Sequence, residues 1–557
     1  MTTPSSTRRR FLLTTAAAAA AAQALPAQTT RTAAGRVAEN TLRSSRDYDD
    51  PFHDVEVDVL VEGPDGETQR VPAFWSGGQT WRWRYSSRTP GRYRYRTVAS
   101  NQSDSGLHDV QGEIEITPYQ GTNPLYRGGT LQVSENRRYL EQADGTPFFW
   151  LGDTWWMGLT ERLRWPEDFD ELAADRAAKG YNVVQLVAGL YPDQASFDPR
   201  AANEAGFPWE EGYATINPAW WDLADLRIRR LVDVGLLPCI LGCWGYYLNA
   251  LGPEKMRAHW RYLIARWGAY PVVWCLAGEG SMPWYLSDRR DAERAELEQG
   301  WTEMARYVRA TDPFGRLITI HPSRSGRQVV TDDSVLDFDM LQTGHGDYRT
   351  IPRTIQQVTA GYALEPTMPV IESEVCYEGI MESCRQDIQR FMFWTTVLNG
   401  CCGFTYGANG IWQVNLPGKP FGASPSGRTW GNTPWREAMQ APGGAQVGVG
   451  AQLLRELPWH EMTPHREWID PHWNDDEYHA PSAAGIPGRL RVHYLPIPRG
   501  TPTLKQLEPG VRYEATLVDP SSGERRRLGE IVAAADGDYR LPIFPQERDW
   551  VLILERG

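Results

Sequence analysis

The chain is 557 residues long, more than one ordinary domain of roughly 150 residues, so two to four folding units are expected, fewer if one is a large barrel. Its formal net charge of -13, with acidic and basic residues mixed along the chain, offers no positive field to hold a polyanion and excludes nucleic acid as the expected partner. The 24 tryptophans and 24 tyrosines suit sugar binding, because flat apolar rings stack on the C–H faces of sugars, although aromatic-rich β-cores use them as well.

The first segment reads Thr7-Arg8-Arg9-Arg10-Phe11-Leu12-Leu13, then an alanine-rich apolar run to Ala22 and small-residue sites ending at Ala24 or Ala27. A basic start with paired arginines, an apolar stretch too short to span a bilayer and a cleavage site predict a twin-arginine-type signal peptide over residues 1–30, with export to the periplasm or beyond. No later segment approaches the 18 uninterrupted apolar residues of a membrane span. The seven cysteines all fall in the middle of the chain, in odd number and within apparent strands, which does not read as a disulfide framework.

Residues 37–118 alternate apolar and polar positions over 52–61, 69–75, 80–85, 91–100 and 112–117, between Gly, Pro, Asp and Ser breaks, and predict an immunoglobulin-like β-sandwich. Trp81-Arg82-Trp83-Arg84-Tyr85 could be a ligand platform, but its period of two more simply buries one face of a strand. From 120 to 456 short apolar runs at 148–155, 182–189, 236–243, 272–278, 317–321, 340–343, 369–374 and 402–406 alternate with helical stretches such as 166–179, 218–234, 253–267, 289–310, 355–363 and 384–398. Eight such runs without a glycine-rich dinucleotide fingerprint predict a (β/α)8 barrel. Residues 457–557 return to β-patterning at 489–495, 511–518, 529–533 and 550–554, a second sandwich. The expected architecture is thus multidomain, a TIM barrel flanked by two β-sandwiches.

In such a barrel the reactive groups sit where strands end. The first strand ends in Asp153, Trp155 and Trp156, the third is followed by Trp244 and Tyr246, and the fourth by Glu279. The fifth gives His321, the sixth His345, the seventh Glu374, Tyr377 and Glu378, and the eighth Tyr406 followed by Trp412. A carboxylate closing an apolar strand is costly unless paired or functional, which singles out Glu279 and Glu374. Glycoside cleavage needs one carboxylic acid to protonate the leaving oxygen and a second carboxylate to attack or to activate water. Glu279 is therefore assigned as general acid/base, its pKa raised by a partly apolar surround that includes Trp284, and Glu374 as nucleophile, kept ionised by hydrogen bonds. Glu372 is its rival, since residues two apart on a strand point the same way; Glu374 is preferred as nearer the strand's end. Asp153, Trp155, Trp156, Trp244, Tyr246, His321, His345, Tyr377, Glu378 and Tyr406 are the candidate substrate-binding residues. Capping, core packing and loop closure compete with binding at each of them.

Four stretches resemble the apiosidase-like glycoside hydrolases: 149–156, 369–379 with its Glu-Val-Cys-Tyr-Glu-Gly, 403–407, and 549–554. In that family an N-terminal sandwich precedes the barrel and a C-terminal β-module, of a type labelled collagen-binding, follows it; nothing in these residues supports collagen. The resemblance implies an exo-glycosidase acting on side chains of plant or microbial polysaccharides, with the fourth-strand acid carried over to Glu279 and the seventh-strand carboxylate to Glu374. The fourth-strand acid of such proteins is often Asp after two glycines, whereas here Glu follows Ala277-Gly278. The reading is an exported, retaining glycoside hydrolase with an oligo- or polysaccharide substrate and no cofactor. A carbohydrate-binding barrel without catalysis is the alternative. A metal-dependent hydrolase ranks last, because no His-x-His follows the first strand and His321 and His345 lie on different strands. The sequence does not set the oligomeric state.

Overall fold

The computed structural model describes residues 29–496, 500–544 and 547–557; apart from Thr29 and Thr30, the expected signal peptide lies outside them. Its centre is one sheet of eight parallel strands: β1 (Trp150–Thr154), β2 (Val183–Val187), β3 (Leu237–Leu241), β4 (Val273–Cys275), β5 (Ile318–Thr319), β6 (Asp339–Gln342), β7 (Val370–Glu374) and β8 (Gly403–Tyr406). Strands such as Val-Val-Gln-Leu-Val of β2 and Leu-Pro-Cys-Ile-Leu of β3 have no exposed residue, as expected of parallel strands covered on both faces. Because β1 pairs with β8 as well as with β2, the sheet curls round on itself.

The ladder is open only between β5 and β6. There the Asp337 N–H donates to Ile318 O at 2.8 Å and the Thr319 hydroxyl to Phe338 O at 2.9 Å, which closes the barrel without a strand pairing. No helical stretch was expected between the fifth and sixth strands, and this connection carries only the 3-10 turns Gly326–Gln328 and Asp333–Val335, since Pro322, Ser325 and Gly326 break any helical run.

Helices α1 (Glu167–Ala178), α2 (Pro218–Asp233), α3 (Tyr247–Trp267), α4 (Arg290–Thr311), α5 (Ile351–Ala363), α6 (Gln386–Leu398) and α7 (Pro442–Arg455) lie outside the sheet. The start of α2 shows why the sequence was readable there: Pro218 occupies the first turn and the Asn217 side chain accepts the Ala219 N–H at 3.2 Å. Helix α3 begins before the expected residue 253 because Gly252, at φ +78°, joins a preceding turn to the helix opened by Pro253.

Residues before the barrel form a five-stranded and a three-stranded sheet around a core that includes Val57, Val59, Trp81, Trp83 and Tyr95. Trp81 and Trp83 are buried, so their alternation serves packing. The first strand, Thr29–Ala33, pairs with 113–117 and extends this region upstream of residue 37. Arg84 ties the region to the barrel: it donates to Asp225 at 2.6 Å and to Arg266 O at 2.7 Å, while Arg266 also holds Asp225 at 2.7 Å. After the barrel, a six-stranded and a three-stranded sheet share a second core, and Arg390 of α6 reaches Asp549 with two bonds of 2.8 Å. No helix among the described residues is long and apolar enough to cross a membrane.

Candidate active site

Glu279 stands four residues past the last paired residue of β4, in backbone held from both sides. The Gly245 N–H donates to Gly278 O at 2.7 Å, Gly280 N–H to His321 O at 3.0 Å, and Met282 N–H to Glu279 O at 2.7 Å. These bonds keep Glu279 at φ +42°, a left-handed conformation that costs a non-glycine residue about 1–3 kcal/mol and persists only where the surroundings impose it. Gly278 has no substitute, because a Cβ there would lie 2.2 Å from the Trp244 ring.

On β7 the pairing with β6 is irregular. Leu341 faces Glu372 but the next residue, Gln342, faces Glu374, so Ser373 is an extra residue, a β-bulge. Adjacent residues of β6 point to opposite sides, and so do their partners. Leu341 packs with Val358 of α5, Val370 and Cys401, and Glu372 on the same side lies against Cys401, while Glu374 joins Gln342 at the mouth. Simple alternation put Glu372 and Glu374 on one face; the bulge separates them. Burial pushes the Glu372 carboxyl well above the usual range and keeps it neutral.

At the mouth the Gln342 side-chain amide donates to Glu279 Oε1 at 3.1 Å, and His345 Nε2 donates to Glu374 Oε1 at 2.9 Å. His321 Nε2 stands 3.4 Å from Glu374 Oε2. The Tyr377 ring stacks on His345 with centroids 4.8 Å apart, its hydroxyl accepts the Trp156 indole N–H at 3.1 Å, and Trp156 meets the edges of Trp244 and His321. The two carboxylates are driven apart in acidity. Burial, then the nearby charge of Glu374, raises Glu279 to about 7 against the opposing bond from Gln342. Burial alone would raise Glu374 too, but the His345 bond and the charges of His321 and His345 outweigh it and hold Glu374 below the usual range. Burial opposes the imidazolium of His345, yet its bond to Glu374 raises it; at His321 burial prevails and the ring stays neutral more readily.

Of the residues singled out from the sequence, Glu279, Glu374, Trp156, Trp244, His321, His345 and Tyr377 meet at this mouth. Tyr246 stands behind it, its hydroxyl donating to Tyr191 O at 3.0 Å and its ring against Trp284 at 4.9 Å. Four others belong elsewhere. Asp153 is fully buried, and its Oδ2 takes the Arg176 guanidinium at 2.6 Å and the Trp155 indole at 2.7 Å. No hydroxyl of a sugar can reach it, and Trp155, packed edge-on to Phe169, serves that ion pair rather than a ligand. Tyr406 donates to Glu378 Oε2 at 2.6 Å while Glu378 Oε1 accepts the Gly443 N–H at 3.0 Å, so this pair anchors the first turn of α7. Asp153→Ala should therefore leave the buried Arg176 with Asp175, at 2.6 Å, as its remaining carboxylate and cost about 1–3 kcal/mol, read as a lower urea midpoint with kcat and KM of the folded enzyme unchanged. A raised KM at unaltered stability would return Asp153 to substrate binding.

The structure also adds residues. Gln342 is the last residue of β6 and a scan of strand ends could have found it. Asp193, in the loop after β2, receives the Tyr285 hydroxyl on Oδ1 at 3.0 Å and the Trp430 indole on Oδ2 at 3.2 Å, uniting loops that follow β2, β4 and β8. Burial raises it to about 6, and Glu374's charge adds to the rise. Trp284, Tyr285 and Trp430 are half-buried, and Trp412 lies between Tyr377 and Trp430, giving the rim an aromatic wall.

An eight-stranded barrel whose carboxylates and aromatic rings converge past the strand ends defines the class of barrel glycosidases. The sequence matches the model of the apiosidase-like catalytic domain over residues 134–461, more than half of the chain, and the protein belongs to that family and is a glycoside hydrolase. Residues 36–100 match DUF5060, a domain of unknown function. No curated protein matches the chain. Among solved structures, one described as a glycoside hydrolase is 24% identical with a TM-score of 0.64, covering 78% of this chain and 98% of its own. A glycoside hydrolase family 5 structure from Bacteroides vulgatus ATCC 8482 is 24% identical with a TM-score of 0.65, covering 78% and 95%. A provisionally assigned glycoside hydrolase from the same organism, 16% identical with a TM-score of 0.69, covers 95% and 100% and so shares the fold of both flanking regions.

Proposed function

We propose that the protein is an exported, retaining glycosidase that removes side-chain sugars from plant or microbial polysaccharide, with Glu374 as nucleophile and Glu279 as acid and then base. One observation carries the reading: two carboxylates converge at one mouth, Glu279 held by Gln342 at 3.1 Å and Glu374 by His345 at 2.9 Å, and their surroundings push the first up in pKa and the second down. In the first step Glu374, ionised and fixed by His345, attacks the anomeric carbon as Glu279 gives its proton to the leaving oxygen. In the second, Glu279, now ionised, takes a proton from water that attacks the same carbon and releases Glu374. The half-buried rim aromatics Trp284, Tyr285 and Trp430 offer faces for the sugar ring, while the buried Trp156, Trp244 and Tyr377 pack around the carboxylates. Export rests on the arginine-led leader, and a side-chain-trimming role rests on the family.

The test is a panel of 4-nitrophenyl furanosides and pyranosides together with pectic and arabinan polysaccharides, released sugars being identified and the first-formed anomer read by proton NMR. The expected outcome is release of a monosaccharide with its anomeric configuration retained. An inverted product would make Glu374 a base for water instead of a nucleophile, and binding without release would remove the catalytic reading.

A further inference from the structure

Asp193 is a carboxylate buried at the mouth, and among the described residues no cation is in contact with it. It is 7% exposed, and its hydrogen bonds come from neutral groups, the Tyr285 hydroxyl and the Trp430 indole; the Tyr285 oxygen in turn accepts the Asp193 N–H at 3.0 Å. The positive charge that reaches it, Arg200, is spent on Asp198 through bonds of 2.7 and 2.9 Å. Its backbone is at φ +56°, so the loop holds it in a strained posture. A buried charge without a cation costs stability, and a neutral amide would satisfy the same two donors at less cost. Each oxygen accepts one bond here and can accept another. The groups best suited to fill those positions are hydroxyls, which sugars supply in pairs.

We infer that Asp193, oriented by Tyr285 and Trp430, is a third carboxylate of the sugar site that accepts hydrogen bonds from hydroxyls of the glycosyl unit next to the scissile bond. The inference rests on the glycosidase reading of Glu279 and Glu374 and specifies its substrate: a neutral glycosyl unit with free hydroxyls on that side, since a uronic acid carboxylate would meet the charge of Asp193 in addition to that of Glu374. The same charge gives Asp193 a positioning role. The groups whose charge bears on Glu279 are Glu374, Asp193 and His345, with the phenols of Tyr285 and Tyr377 facing it; those bearing on Asp193 are Glu374 and Arg200, beside Tyr285, Tyr246 and Trp430. Asp193 therefore helps Glu279 keep its proton.

The experiment compares the wild type, Asp193→Asn and Tyr285→Phe on the 4-nitrophenyl glycoside that the wild type hydrolyses and on its monodeoxy analogues. For at least one deoxy position the wild type should lose about 10- to 100-fold in kcat/KM, the effect of one hydrogen bond to a charged acceptor, whereas Asp193→Asn, already slow on the parent glycoside, should discriminate less than about threefold. The alkaline limb of the Asp193→Asn profile should move to lower pH, because Glu279 ionises more easily without the neighbouring charge. Tyr285→Phe, which keeps the charge but frees its orientation, should weaken the deoxy discrimination and leave the limb nearly in place. Equal deoxy penalties in the wild type and Asp193→Asn, with the limb unmoved, would overturn the inference while leaving an inactive Glu374→Gln and the glycosidase reading intact. A Glu374→Gln variant that still turns over would remove both.

Discussion

Glu374→Gln is expected to lose on the order of 10⁴-fold or more in kcat with the fold unchanged. The amide is nearly isosteric and can still accept from His345, so the mouth should keep its shape and bind sugar; it has no charge with which to attack the anomeric carbon. Glu374→Ala separates the roles further. In the space left by the side chain, azide should restore turnover and yield a glycosyl azide of inverted configuration, the signature of a missing nucleophile. Steady-state kinetics, a thermal melt and NMR of the azide product check these outcomes together. Loss of activity with a collapsed melting curve would instead make Glu374 a structural carboxylate, held by His345 and His321 for packing alone.

Glu279→Gln should cost about 10²–10⁴-fold on glycosides with a poor leaving group and much less on 4-nitrophenyl glycosides, whose leaving oxygen needs little protonation. The pH dependence follows from the two carboxyls. Glu279 must be protonated to act, and with its pKa at about 7, kcat/KM should fall as pH rises through that value. Glu374 must be ionised, and because its pKa is lowered, activity should persist on the acid side until below the ordinary carboxylate range. The two apparent values belong to the coupled pair. In Glu279→Gln the alkaline limb should vanish; a limb that remains would point to a different acid.

The barrel was legible because parallel strands buried on both faces read as apolar runs, and β3 and β4 stand out in that way, with β2 interrupted only by Gln185. Glu279 and Glu374 could be picked because charge at the close of such a run is conspicuous. Three features were not legible. The choice between Glu372 and Glu374 depends on the bulge at Ser373, a pairing irregularity that alternation within one strand cannot show. Asp153 looked like a mouth residue because it closes β1 in the same way, but its partner Arg176 comes from α1, and that tertiary ion pair turns it inward. Asp193 was missed because it lies beyond the end of β2, in a loop whose path is set by Tyr285 and Trp430 from distant parts of the chain. Strand ends announce themselves in sequence; loop convergence does not.

A covalent trap tests the pairing of the two carboxylates most directly. In Glu279→Gln an activated aryl glycoside should still react with Glu374, while the second step, deprived of its base, should be slow. Acid quenching followed by peptide mass spectrometry should then find one glycosyl unit on the peptide containing Glu374, fragmenting to that residue. An adduct on Asp193 or Glu372, or no adduct during measurable release of aryl alcohol, would contradict the assignment.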